Sequence, residues 1–113
     1  MNIKKIFSND KKLQVIYRLE PGCLGPNGEN HIKDFCKFAQ NKAEGIDAEI
    51  IIWEFRSRND KALAEIEYKI NNKKLSFDKA KIYLEMFDRN IDDFEEVAHE
   101  KISNLIEDYF GNQ

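Results

Sequence analysis

The stretch Glu49-Ile50-Ile51-Ile52-Trp53-Glu54-Phe55-Arg56 is the most apolar in the chain, and its reading decides the fold. At a period of two it puts Ile51, Trp53 and Phe55 on one face and Ile50 and Ile52 on the other, which predicts a strand apolar on both sides and central in its sheet. Downstream, Ser57-Arg58-Asn59-Asp60-Lys61-Ala62 has the composition of a turn, and Ile66, Tyr68 and Ile70 then alternate with Glu65, Glu67 and Lys69. These two strands are expected to form a hairpin, the second ending at Asn71 and Asn72.

Working upstream, Gly45 terminates a helix in which Ile32, Phe35, Cys36, Ala39 and Ala43 recur at helical spacing. A loop, Glu20-Pro21-Gly22-Cys23-Leu24-Gly25-Pro26-Asn27-Gly28-Glu29-Asn30, leads into it. Before the loop, Leu13, Val15, Tyr17 and Leu19 alternate with Gln14, Arg18 and Glu20, the pattern of a half-buried strand. Residues 2–7 are expected to pair with that strand through a turn at Ser8, Asn9 and Asp10.

Toward the C-terminus, Ser76 is a good N-cap for a helix over 77–87, and Asn90 for one running to about Phe110. Asp92 and Asp93 are favourably placed at the positive end of the latter, and Gly111 ends it. Ile91, Phe94, Ala98, Ile102, Leu105 and Tyr109 make its apolar stripe, opposite Asp93, Glu96, Glu100, Glu107 and Asp108. The order (β)βαββαα predicts one α+β domain over residues 1–113: a small, largely antiparallel sheet of three or four strands packed by three helices.

Composition removes several classes. Eight Phe, four Tyr, one Trp and fourteen Ile in 113 residues are too much apolar material for a disordered chain. The longest apolar run, residues 50–53, is far short of the roughly 20 residues of a membrane-spanning helix. The basic N-terminal segment has no apolar stretch of about 7 to 15 residues behind it, so no secretory signal is read and a cytoplasmic location is expected. Abundant Lys, Asn and Ile point to an AT-rich bacterial genome. Two cysteines make no disulfide framework, and a reducing compartment keeps both as thiols.

Charge is unevenly spread. Residues 1–84 carry 16 basic and 12 acidic side chains, net plus four, whereas residues 85–113 carry two basic and nine acidic, net minus seven. Only the N-terminal lysines Lys4, Lys5, Lys11 and Lys12 suit phosphate, and without an aromatic stacking platform they read as solubilising charges on an edge, so nucleic acid is not the expected partner.

Several residues are chemically suggestive. Gly22, Gly25 and Gly28 lie between a strand and a helix N-terminus, where backbone N–H groups can hold an anion, but they match neither the P-loop nor the dinucleotide spacing. Cys23 in the same loop is a candidate nucleophile, with His31 as base or anion contact, although no third orienting group is evident. Cys36 falls in the helical stripe and reads as core, which leaves Cys23, His31 and Cys36 a poor zinc set and no metal expected. Asp88, Asn90 and Asp92 open like a calcium loop, but Asp93 stands at the sixth position and His99 at the twelfth, so helix capping is the better reading. His99 and Glu100 begin a zinc-protease pattern that Ser103 breaks.

Apolar residues in excess of the core faces remain. Ile82 and Met86 project away from the face formed by Phe77, Ala80, Tyr83, Leu84 and Phe87, and Ile16, Ile50 and Ile52 away from the main sheet face. Ile50, Ile52, Ile82 and Met86 are therefore candidate interface residues. The sequence points to a non-enzymatic interaction or accessory protein, a homodimer without cofactor, whose acidic third helix receives a basic protein partner. The competing expectation is a ligand-binding protein or enzyme with its site in the 22–31 loop.

Overall fold

Alternation over seven residues sets the frame of the molecule. In the computed structural model, which describes residues 8–111, strand β1 (Leu13–Leu19) buries Leu13, Val15, Tyr17 and Leu19 in the main core. Strand β2 (Ile51–Ser57) pairs with it in parallel, Val15 opposite Trp53, and β3 (Ile66–Ile70) pairs antiparallel on its other side, Val15 opposite Tyr68. A short β4 (Lys73–Leu75) completes the order β2-β1-β3-β4. The fold is α+β with a mixed, open sheet, in which one of the three strand pairs is parallel. The expected pairing of residues 2–7 lies outside the described residues.

The expectation for the most apolar segment is corrected in two respects. Among the described residues β2 is an edge strand, and the strand buried on both faces is β1, where Ile16 is 1% and Arg18 5% exposed on the second face. The apolar second face assigned to β2 rested on Ile50 and Ile52. Ile50 precedes the strand and is 9% exposed within the core, its carbonyl accepting from Leu13 N–H (2.9 Å) and the Tyr83 hydroxyl (2.7 Å). Ile52 is half-buried beside Glu54, which is paired with Arg56.

Nor do β2 and β3 form a hairpin, because β1 lies between them. A parallel β1–β2 pair requires a crossover, supplied by helix α1 (Gly28–Ala43). The segment after β2 instead passes across the end of β1, with Arg58 N–H donating to Leu19 and Arg18 N–H to Glu65. The hairpin of the fold is β3–β4, turned by Asn71 (φ 51°) and Asn72 (φ 64°). Two successive left-handed residues make the turn type whose twist suits a tight hairpin, and Asn tolerates that conformation better than most side chains.

Helices α2 (Phe77–Glu85) and α3 (Ile91–Gly111) follow, and their junction is closed by local chemistry. The Ser76 hydroxyl accepts from Lys79 N–H (3.2 Å), and the Asn90 side chain from Asp93 N–H (3.0 Å). Asp88, at φ 59°, turns the chain out of α2 while Arg89 N–H reaches back to the Leu84 carbonyl (2.9 Å). Asp88 and Asn90 thus serve the ends of two helices.

Every buried hydrophobic side chain of the three helices joins one core, on the sheet face of Val15, Tyr17, Ile51, Trp53 and Tyr68. The opposite face carries Gln14, Ile16, Arg18, Ile52, Glu54, Glu67 and Lys69, and no described helix packs there. Among the described residues no helix is long and apolar enough to cross a membrane.

Candidate functional site

The 22–31 loop is held by its own backbone. Pro21–Leu24 forms a 3-10 turn in which Cys23 N–H donates to Glu20, followed by Gly25 N–H to Gly22, Gly28 N–H to Gly25 and Asn30 N–H to Asn27. Gly25 adopts φ 92°, and a Cβ on Gly28 would sit 1.7 Å from the Pro21 carbonyl oxygen. These two glycines thus have conformational and packing reasons to be there. A cleft of about 730 Å³ opens between this loop and Arg58, Asn59 and Lys61. Arg58 is already engaged, by Glu20 (3.2 Å) and the Leu63 and Lys61 carbonyls. Four of the loop amides that could bind an anion, those of Cys23, Gly25, Gly28 and Asn30, are instead used within the turn.

Cys23 is exposed in this turn and forms no hydrogen bond with His31. The His31 ring instead meets helix α3, with Nδ1 3.3 Å from the Tyr109 hydroxyl and the ring edge-on to Phe110 at 5.1 Å. Phe35 and Phe38 also pack edge-on against Tyr109 at 5.6 Å each. His31 therefore belongs to an aromatic clasp between α1 and α3. Cys36 is half-buried, and burial pushes its thiol pKa up.

A chain of three polar groups unites residues far apart in sequence. Tyr17 Oη lies 2.6 Å from His99 Nδ1, and His99 Nε2 lies 3.6 Å from Glu65 Oε1. Desolvation raises the Tyr17 phenol pKa, and the charges of Glu65 and Cys23 add to the effect. Tyr68 likewise donates to Glu95 at 2.6 Å, and its pKa rises through burial and that carboxylate. Neutral, hydrogen-bonded phenols suit structural anchoring of α3 to the sheet. The alternating pattern marked Tyr17 and Tyr68 as inward-facing, but nothing local in sequence marked His99 as a partner.

Beside Tyr17 lies an apolar cavity of about 50 Å³, bounded by Trp53, Phe55, Phe94, Ala98, Lys101 and Leu105 among others. That is about a third of the roughly 150 Å³ that admits benzene, so it is a packing gap too small for an aromatic ligand.

The edge of β2 is partly closed by a side chain. Gln40 Nε2 donates to the Trp53 carbonyl (2.7 Å) while its Oε1 accepts from Phe55 N–H (3.3 Å), as a neighbouring strand would. Trp53 Nε1 donates to the Ile46 carbonyl (2.9 Å), fastening the same edge to the α1–β2 connection.

Of the four candidate interface residues, Ile50 is core and Ile52 half-buried, whereas Ile82 and Met86 are 59% and 71% exposed on the outer face of α2. On α3, Asp92, Asp93, Glu96, Glu100, Glu107 and Asp108 are exposed, and none makes an ion pair among the described residues. No three His, Cys, Asp or Glu side chains among the described residues gather to hold a metal.

No family model, curated protein or solved structure matches the chain.

Proposed function

We propose that the chain is a non-enzymatic interaction protein that forms a weak homodimer through the outer face of α2 and offers the acidic side of α3 to a basic partner. The exposure of Ile82 and Met86 side by side, one helical turn apart, carries the reading. The charges around them are self-complementary. In a two-fold contact of antiparallel helices centred on Ile82, Lys79 of one copy faces Glu85 of the other. A helix of nine residues buries less than the roughly 1,200 Å² of standard interfaces, so the association is weak and concentration-dependent.

The acidic side of α3 acts at longer range. Six carboxylates on one helix, unpaired among the described residues, raise the encounter rate with a cationic partner and lose that effect as salt is added. The competing site at Cys23 has less support, because His31 is committed to Tyr109 and Phe110 and four of the loop amides to their own turn. An alkylation rate at Cys23 that departs from an ordinary thiol's across neutral pH would restore it.

Sedimentation equilibrium from about 10 µM to about 1 mM tests the dimer. The wild type should shift from monomer toward dimer over that range, and Met86→Lys should remain monomeric with an unchanged circular dichroism spectrum. A wild type monomeric throughout, or a variant that dimerises equally well, overturns the proposal.

A further inference from the structure

A groove runs between α1 and the outer edge of β2, with a volume of about 600 Å³, and its lining includes Lys33, Cys36, Lys37, Phe55, Arg56 and Ser57. Three of its lining residues are basic and none is acidic. Lys33 and Lys37 stand one turn apart on the exposed side of α1, and neither is ion-paired among the described residues. Arg56 of β2 also borders the groove, with its guanidinium paired with Glu54.

Among the described residues, no strand pairs with the backbone edge beneath these cations. In a strand, the N–H and C=O of one residue point the same way, and alternate residues point to the same side. Gln40 bonds the Trp53 carbonyl and Phe55 N–H from outside the sheet, so the Phe55 carbonyl and the N–H and carbonyl of Ser57 also point away from β1. Gln40 blocks the edge up to Phe55 N–H. The groups beyond it lie where the groove and its cations are.

We propose that this groove binds an extended acidic peptide segment of another protein, added to β2 as a further strand from Phe55 onward, with its carboxylates on Lys33 and Lys37. Main-chain bonds supply the register and alternate side chains the specificity, as in other strand additions. A second copy of this chain fits poorly. Edge-to-edge pairing of two β2 strands at this point would bring the Arg56 side chains and their attendant lysines together, and like charges facing each other oppose such pairing. The site lies apart from the outer face of α2, so it stands or falls independently of the dimer.

The probe is a fluorescein-labelled peptide of alternating Glu and Val residues, titrated at low ionic strength and followed by anisotropy, with a Lys-for-Glu counterpart as control. The acidic peptide should bind and the basic one should not. Lys33→Glu combined with Lys37→Glu should weaken binding by about tenfold or more, at exposed positions where the fold is retained. On saturation, the Ser57 amide should gain protection from hydrogen exchange. Failure to bind, equal affinity in the double variant, or an unprotected Ser57 amide overturns the proposal. Self-association of the unliganded protein abolished by the same two substitutions also overturns it, by assigning the groove to a second copy.

Discussion

Arg18 and Glu67 meet at 2.7 Å on the sheet face that no described helix covers, one on β1 and the other on β3, with both side chains largely buried. The guanidinium also donates to the Ala64 carbonyl (2.9 Å), so the buried charge has two partners. The hydrogen bond from Arg18 holds the Glu67 carboxyl below its ordinary range, against the opposing effect of burial. A depressed carboxylate pKa contributes stability above the unfolded value, about 4.3, and loses it as pH falls through the folded value. Stability should therefore decline with acid below about pH 5, and less steeply in Glu67→Gln. At neutral pH that variant should cost about 1 to 2 kcal/mol, and Glu67→Leu about 3 kcal/mol by leaving Arg18 without its anion. Urea unfolding at several pH values measures both. Equal acid sensitivity in wild type and Glu67→Gln would reject the pair as its source.

Gly28 and Gly22 should respond differently to alanine. At the start of α1, Gly28→Ala would ordinarily gain about 1 kcal/mol from helix propensity. The added Cβ would instead lie 1.7 Å from the Pro21 carbonyl oxygen and 2.6 Å from its carbon, both backbone atoms that cannot swing aside. The overlap should dominate, with a net loss of about 2 kcal/mol or more. Gly22 has nothing within 4 Å of such a Cβ, so Gly22→Ala should fall within about 0.5 kcal/mol of wild type. Chemical denaturation of the pair decides the matter, and a neutral Gly28→Ala would refute the close approach.

Local signals were legible and pairings were not. Ser76 and Asn90 announce their helices because a cap acts within three residues, and the stripe from Ile91 to Tyr109 announces a helix lying on a core. Which strands are neighbours depends on where the chain travels between them. The apolar run at Ile50 to Trp53 looked central, yet it sits at the edge because α1 carries the chain across to lie parallel with β1. Asn71 and Asn72 are readable as the end of a strand, but the brevity of Lys73–Leu75 hides the strand that follows the turn. At the candidate sites, the exposure of Ile82 and Met86 followed from helical periodicity alone, whereas Tyr17 and His99 meet only through tertiary packing. Gln40 left one readable trace, a polar residue at the margin of the apolar stripe of α1.

The gap beside Trp53 predicts a stabilising substitution. Ala98 is buried on α3 and borders the cavity of about 50 Å³. Ala98→Val adds two methyl groups, worth about 0.8 kcal/mol each when buried, against roughly 0.6 kcal/mol of lost helix propensity. A net gain of about 1 kcal/mol is expected in urea unfolding, together with altered Trp53 fluorescence. A loss of more than about 1 kcal/mol would show that the space is not reachable from position 98.

Alkaline titration tests how the sheet is tied to the helices. Tyr17, Tyr68 and Tyr83 all have their phenol pKa raised above the ordinary value, chiefly by burial. Tyr17 bonds to His99, Tyr68 donates to Glu95, and Tyr83 bridges Leu13 N–H and the Ile50 carbonyl. A raised phenol pKa contributes stability that is fully present below the unfolded value, about 10, and lost as pH rises toward the folded one. Between these values the unfolded chain releases protons that the folded chain retains, so folding should weaken with each added pH unit above about 10. Absorbance at about 295 nm should show these three phenols ionising late, together with the loss of secondary structure in circular dichroism. Tyr68→Phe should remove part of that late ionisation and flatten the decline in stability. Full ionisation of all the tyrosines near pH 10 in a chain that remains folded would refute the buried, hydrogen-bonded arrangement at these three positions.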